Sequence, residues 1–254
     1  MNAFANEAVC AVRWDEGGVV MLDQRALPQQ EIYLELHHAA AVTAAIRDMA
    51  VRGAPAIGVS AAYGVVLAAR EAWASAGESW RDAIAPTLTA LADARPTAIN
   101  LHWAIERMRA TFHAIDGNPE PDLLAEALAI HHRVGDLRAA ALTSGLLCHV
   151  YRADARHAEA LERLDAAERA FETLDDPVGR ARTLVDRGLH LSRVGDSEGA
   201  LAALDSAKRA YERLGIQRGL EEAYLVAAGT RLGCADDRRA LEEVASSELA
   251  RMHR

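Results

Sequence analysis

The sequence predicts a mostly α-helical protein: a small N-terminal antiparallel β-sheet with a helical bundle, followed by a region of α-helical-hairpin repeats. Three observations carry this expectation. Strand-like alternation is confined to the residues before His38, and helical periodicity runs from there onward. Beyond residue 131, short blocks of sequence recur at 40-residue intervals.

Ala11-Val12-Arg13-Trp14 and Val19-Val20-Met21-Leu22 flank the turn Asp15-Glu16-Gly17-Gly18 and read as a hairpin. Ile32 to Leu36 supplies a third strand. Val42, Ala45, Ile46 and Met49 share one face of a helix expected to end near Val51. A Gly-Ala-Pro turn follows, and Pro55 suits the first position of the next helix, where its missing N–H costs nothing. The uncharged stretch Ala54 to Ala69, between Arg52 and Arg70, is shorter than the ~20 apolar residues a membrane span needs. It reads as a buried helix. Further helices are expected at about 80–93, 98–114 and 121–132, broken by Arg95-Pro96 and by Gly117-Asn118-Pro119.

Beyond residue 131, Val and Ile occur only singly, so a buried parallel sheet has no material there. Ala160-Leu161, Ala200-Leu201 and Ala240-Leu241 recur instead, as do small residues at Cys148, Gly188 and Ala228. Residues 159–174 match 199–214 without a gap. Stacked helical hairpins are the expected result. This pattern resembles the tetratricopeptide repeat, with Gly188 at the small position of the first helix, Gly195-Asp196 at the turn, and Ala200 and Ala207 on the second helix. The first copy replaces that turn with Asp154-Ala155-Arg156, and the period exceeds the usual repeat length. Two domains are therefore expected, residues 1–130 and 131–254.

With 254 residues and 51% apolar content, the chain can build two cores; only 5% are aromatic, so Ala, Leu and Val must fill them. A net charge of −9 leaves no electrostatic footprint for nucleic acid. Cys10, Cys148 and Cys234 are widely spaced and odd in number, which gives neither a disulfide framework nor a metal-ligand set. No cofactor motif is present. Glu7 stands where a signal peptide would be basic, and a cytoplasmic, membrane-free protein is expected.

Four segments resemble the N-terminal domain of the S-methyl-5-thioribose-1-phosphate isomerase family, over about residues 8–131. They are 12–16 with 22–25, 45–49, 51–58 with 61–64, and 95–104; the third carries Arg52-Gly53-Ala54-Pro55-Ala56-Ile57-Gly58. The resemblance implies a place in methionine salvage and a sugar-phosphate ligand contacted by Arg52, Gly53, Ala54 and Arg95. Related regulatory subunits of the eukaryotic initiation-factor exchange complex share the fold but lack most of these segments. The local chemistry is compatible with the phosphate. Gly53 permits close backbone approach, Pro55 opens a helix whose free N–H groups favour an anion, and Arg52 offers a planar donor fork. A plainer reading leaves Gly53 and Pro55 as punctuation and Arg52 solvated.

The family's acid and base, which its isomerisation needs, lie in Cys-Asn and Asp-Asn segments of a second domain, with an Asn-Lys pair beside them. Here no asparagine follows Asn118, and the sole lysine is Lys208. Cys148 sits in Gly145-Leu146-Leu147-Cys148-His149-Val150, at a helix-packing position. Cys148 and His149 diverge on a helix, and no third residue is expected to orient the histidine. The pairs His37-His38 and His131-His132 read as solvated or boundary residues, while His102 and Trp103 read as packing residues. No catalytic residue is therefore assigned.

Three functional readings follow. The first is a truncated isomerase-like domain fused to a helical-repeat module that binds a protein or peptide, without intact catalysis. The second is an active isomerase with catalytic groups supplied in trans. The third is a recombined or artificial chain with no selected function. Homo-oligomerisation is also expected if the face that a second domain normally covers stays open.

Overall fold

The computed structural model describes residues 10–15, 17–135 and 137–232. Glu7, Glu16, Asp136, Cys234, Arg238-Arg239, Ala240-Leu241 and Val244 lie outside the described residues. The chain divides into two compact units, Met1–Leu146 and Leu147–Arg254. The architecture is mostly α with one small antiparallel sheet.

In the first unit, β1 (Val12–Asp15), β2 (Gly18–Leu22) and β3 (Tyr33–Leu36) form a sheet in the order β1-β2-β3. Trp14 pairs with Val19, and Val19 with Leu36. The central strand β2 is buried along its whole length, whereas β1 alternates. α1 (Ala39–Arg47) buries Ala39, Val42, Ala45 and Ile46. It stops short of the expected end near Val51. Met49 takes a left-handed conformation (φ 58), its N–H donates to Ile46 C=O at 3.3 Å, and Ala50 N–H donates to Ala45 C=O at 2.9 Å. This terminating motif turns the chain so that Ala50 and Val51 are buried and Met49 is 46% exposed.

α2 (Ala54–Ala76) is the central helix, and every residue from Ile57 to Ala69 is buried. The expected helix at 80–93 is two pieces, α3 (Trp80–Ala83) and α4 (Ala85–Asp93), because Pro86 has no N–H to continue the ladder. α5 (Ile99–Arg109) ends before a short 3₁₀ turn at Phe112–Ala114, and α6 (Glu120–Val134) completes the bundle. The expected domain junction at residue 131 lies inside α6.

His131 is not solvated. It is 1% exposed, and Tyr63 Oη lies 2.7 Å from its Nδ1 and 2.9 Å from Thr143 Oγ1. Burial holds its pKa down to about 3.

The second unit takes up the helical region. α7 (Leu137–Ala153) runs across the division at Leu146, and α8 (His157–Thr173), α9 (Pro177–Arg193), α10 (Ser197–Leu214) and α11 (Gln217–Leu232) follow. Successive helices begin 20 residues apart, so the 40-residue period read from sequence is one pair of shorter units. Ala155, Asp175, Gly195 and Gly215 are left-handed, with φ of 57, 50, 89 and 67. The next residue in each case donates its N–H back to the preceding helix, as from Asp176 to Phe171 C=O (2.9 Å) and from Asp196 to Leu191 C=O (2.9 Å). Asp176 and Asp196 then cap α9 and α10 by accepting from Gly179 and Gly199 N–H at 3.0 and 2.9 Å.

Close helix approach explains the small residues. A Cβ on Gly188 would stand 2.4 Å from Leu204 Cγ. Phe171 over Gly179 and Tyr211 over Gly219 repeat one contact 40 residues apart. Gly188→Val should overpack the α9/α10 contact and cost about 2–3 kcal/mol, measured as a lower urea midpoint. His131 should stay neutral down to about pH 3 when its imidazole nitrogens are followed by NMR. Because its folded pKa lies below the unfolded value near 6.5, the unfolded chain binds more protons across that window. The stability it confers is therefore complete above about pH 6.5 and drains away as pH falls toward 3.

Candidate functional site

The start of α2 leaves backbone donors without helical partners. Gly53, with φ 85 and ψ 132, is its N-cap and offers no capping side chain. The first intrahelical bond runs from Ile57 N–H to Gly53 C=O at 3.0 Å. The N–H groups of Ala54 and Ala56 therefore lie ahead of the helix's own ladder, and Pro55 has none. Positive dipole charge collects at the same end.

A second helix opens onto the same place. Leu101 N–H bonds Ala98 C=O at 3.0 Å, which leaves the Ile99 and Asn100 N–H groups at the start of α5. His102 Nε2 lies 3.0 Å from Pro96 C=O and ties the turn between Arg95 and α5. His102 therefore acts through a hydrogen bond as well as by packing. Trp103 is 37% exposed, with the Arg133 guanidinium 4.7 Å from its ring centroid.

A concavity of ≈ 500 Å³ lies between these helix ends. Arg52, Gly53, Ala54 and Arg95, the four residues expected to contact a phosphate, all line it. Met49, Ile57, Thr97, Ala98, Ile99 and Asn100 complete its wall. These six were not assigned to the site from sequence, although all lie in the segments that carry the resemblance. The Arg95 guanidinium makes no hydrogen bond or ion pair among the described residues. Arg52 is exposed, and its backbone N–H donates to Gln24 Oε1 at 2.8 Å. The nearby Asp23 carboxylate is held by Arg25, with contacts of 2.8 and 2.7 Å, and this pairing keeps it below the usual carboxylate range. Its hydrogen bonds go to Arg25, and the positive charge of Arg52 also acts on it.

Elsewhere, no three His, Cys, Asp or Glu side chains are placed to hold a metal ion among the described residues. No described helix is long and apolar enough to cross a membrane. Cys148 is buried, and burial pushes its thiol up to about 12, which leaves it protonated and inert. The expectation that nothing orients His149 needs correction. Its Nε2 sits 3.2 Å from Asp186 Oδ1, and its Nδ1 is 2.7 Å from Arg152 Nη2. Helix α9 supplies the aspartate from a distant stretch of sequence, so spacing alone could not reveal it.

Residues 50–164 match the model of the Initiation factor 2 subunit family. The match continues past residue 131, where the resemblance was expected to fade. Curated relatives include methylthioribose-1-phosphate isomerases. That of Methylococcus capsulatus is 48% identical over 154 residues, covering 57% of this chain and 44% of the relative. That of Pseudomonas aeruginosa is 52% identical over 129 residues, covering 50% and 36%. The chain thus spans less than half the length of these relatives. The crystal structure of 5-methylthioribose 1-phosphate isomerase from Pyrococcus horikoshii aligns with a TM-score of 0.48 and 29% identity, over 55% of this chain and 40% of that one.

A Cβ at residue 53 would meet nothing within 4 Å, so any penalty for Gly53→Ala is conformational. That substitution should cost about 1–3 kcal/mol in denaturant titration, because the backbone angles there suit glycine alone.

Proposed function

We propose that the first unit is a sugar-phosphate-binding domain of the methylthioribose-1-phosphate isomerase type, and that it binds its ligand without turning it over. The convergence of Arg52, Gly53, Ala54 and Arg95 on one concavity between two helix N-termini carries this reading. A phosphate ester there would accept from backbone N–H groups, meet two positive dipole ends, and take donor forks from both arginines. Isomerisation also needs an acid and a base facing neighbouring carbons. The residues lining the concavity supply arginines, a threonine and an asparagine, none of which exchanges a proton readily near neutral pH.

The helices from α7 onward form the other half of the proposal: a tetratricopeptide-like module that binds a protein or peptide. Its support is the 20-residue register of helix starts and left-handed turns. Repeats stacked on such a register present an extended surface for a partner.

Calorimetric titration with methylthioribose-1-phosphate should give saturable binding. Arg52→Ala and Arg95→Ala should each weaken it by about tenfold or more, the scale of one lost charge-assisted contact. No ketose phosphate should accumulate. The intact phosphate-contact quartet also fits an isomerase that borrows its acid and base from another chain. Ketose formation that disappears in Arg52→Ala would establish that reading and overturn binding without turnover.

A further inference from the structure

We propose that Gln24 is a positioning residue for this site. It holds residues 50–52 in the form that presents Arg52 and the α2 N-terminus to the ligand. The inference rests on reading the concavity as a phosphate site.

Gln24 grips the approach to α2 at both ends. Its backbone N–H donates to Ala50 C=O at 2.8 Å, and its side-chain Oε1 accepts from Arg52 N–H at 2.8 Å. Ala50 and Val51 between them are fully buried. Beyond Arg52, Gly53 takes a φ of 85 as the N-cap of α2, and nothing packs where its Cβ would be. The Gln24 carboxamide is thus the last fixed point before the chain enters the anion site.

The support behind Gln24 is itself secured. Asp23 N–H donates to Ile32 C=O at 2.8 Å, and Ala26 N–H donates to Asp23 C=O at 3.1 Å. Arg25 closes over the Asp23 carboxylate through two contacts and adds a backbone N–H bond at 3.0 Å. Gln24 itself does not line the concavity. It acts through Arg52, and the order it imposes is lost entropy that binding need not supply again.

Gln24→Met keeps the main-chain bond to Ala50 and removes only the acceptor for Arg52 N–H. Titrated with inorganic phosphate, it should bind roughly fivefold more weakly or worse, the scale of one hydrogen bond. The Arg52 amide should exchange faster with solvent in this variant. Gln24→Glu retains an acceptor and should restore Arg52 amide protection. Gln24→Asn, shorter by one methylene, carries the same test should the Met variant fail to fold. Unchanged phosphate affinity or unchanged Arg52 exchange in a folded Gln24→Met protein overturns the positioning role. Absence of phosphate binding by the wild-type protein instead overturns the site reading, while Arg52 exchange still tests the clamp on its own.

Discussion

Helices α2 and α5 meet at Gly58 and Asn100, and the candidate site depends on that contact. A Cβ on Gly58 would stand 3.4 Å from the Asn100 carbonyl oxygen and 3.5 Å from Asn100 Cβ. Helices α2 and α5 can therefore touch within a turn or so of where each begins. Because they meet so near their starts, their unsatisfied N–H groups and positive dipole ends open onto one concavity rather than two. A lone Cβ at 58 would sit in ordinary contact there, whereas a branched or aromatic side chain would have to press the first turns apart. The arrangement gathers positive charge from Arg52 and Arg95 in the same place, while the Asp23 carboxylate bonds Arg25. In the proposed reading, an anion completes this site.

The rest of the first unit supports this geometry. β2 passes directly into the loop that carries Gln24, and the left-handed Met49 turns α1 back toward Arg52. A methionine in that conformation costs about 1–2 kcal/mol, which the burial of Ala50 and Val51 can offset. The second unit follows a more local rule. Helix, left-handed residue and capping segment recur every 20 residues, and Ala155 and Asp175 adopt the turn even without glycine. The register therefore outranks the residue's own preference.

Much of the fold is legible in the sequence because it is periodic. Val12, Trp14 and the run 19–22 announce a sheet, and the uncharged stretch after Pro55 announces a buried helix. The recurrence of Ala-Leu pairs announces hairpins. What escapes is tertiary. The 20-residue unit is hidden because two of its four turns lack glycine. His131 reads as one of two adjacent histidines, and its hydrogen bond to Tyr63, far away in the chain, leaves no trace in local sequence. Asp186 beside His149 is hidden for the same reason. Of the site, Arg52, Gly53, Ala54 and Arg95 were legible through the resemblance and the chemistry of glycine, proline and arginine. The walls from Met49 and Ile99 were not, since exposure of an apolar residue (81% for Ile99) leaves no mark in a sequence pattern.

The most direct test is a backbone-amide NMR titration of the intact chain with inorganic phosphate. Gly53, Ala54 and Ala56 at one helix start, and Ile99 and Asn100 at the other, should shift together and yield a single dissociation constant. No shift at all, or shifts at one helix start only, would contradict a shared anion site built by the contact at residue 58.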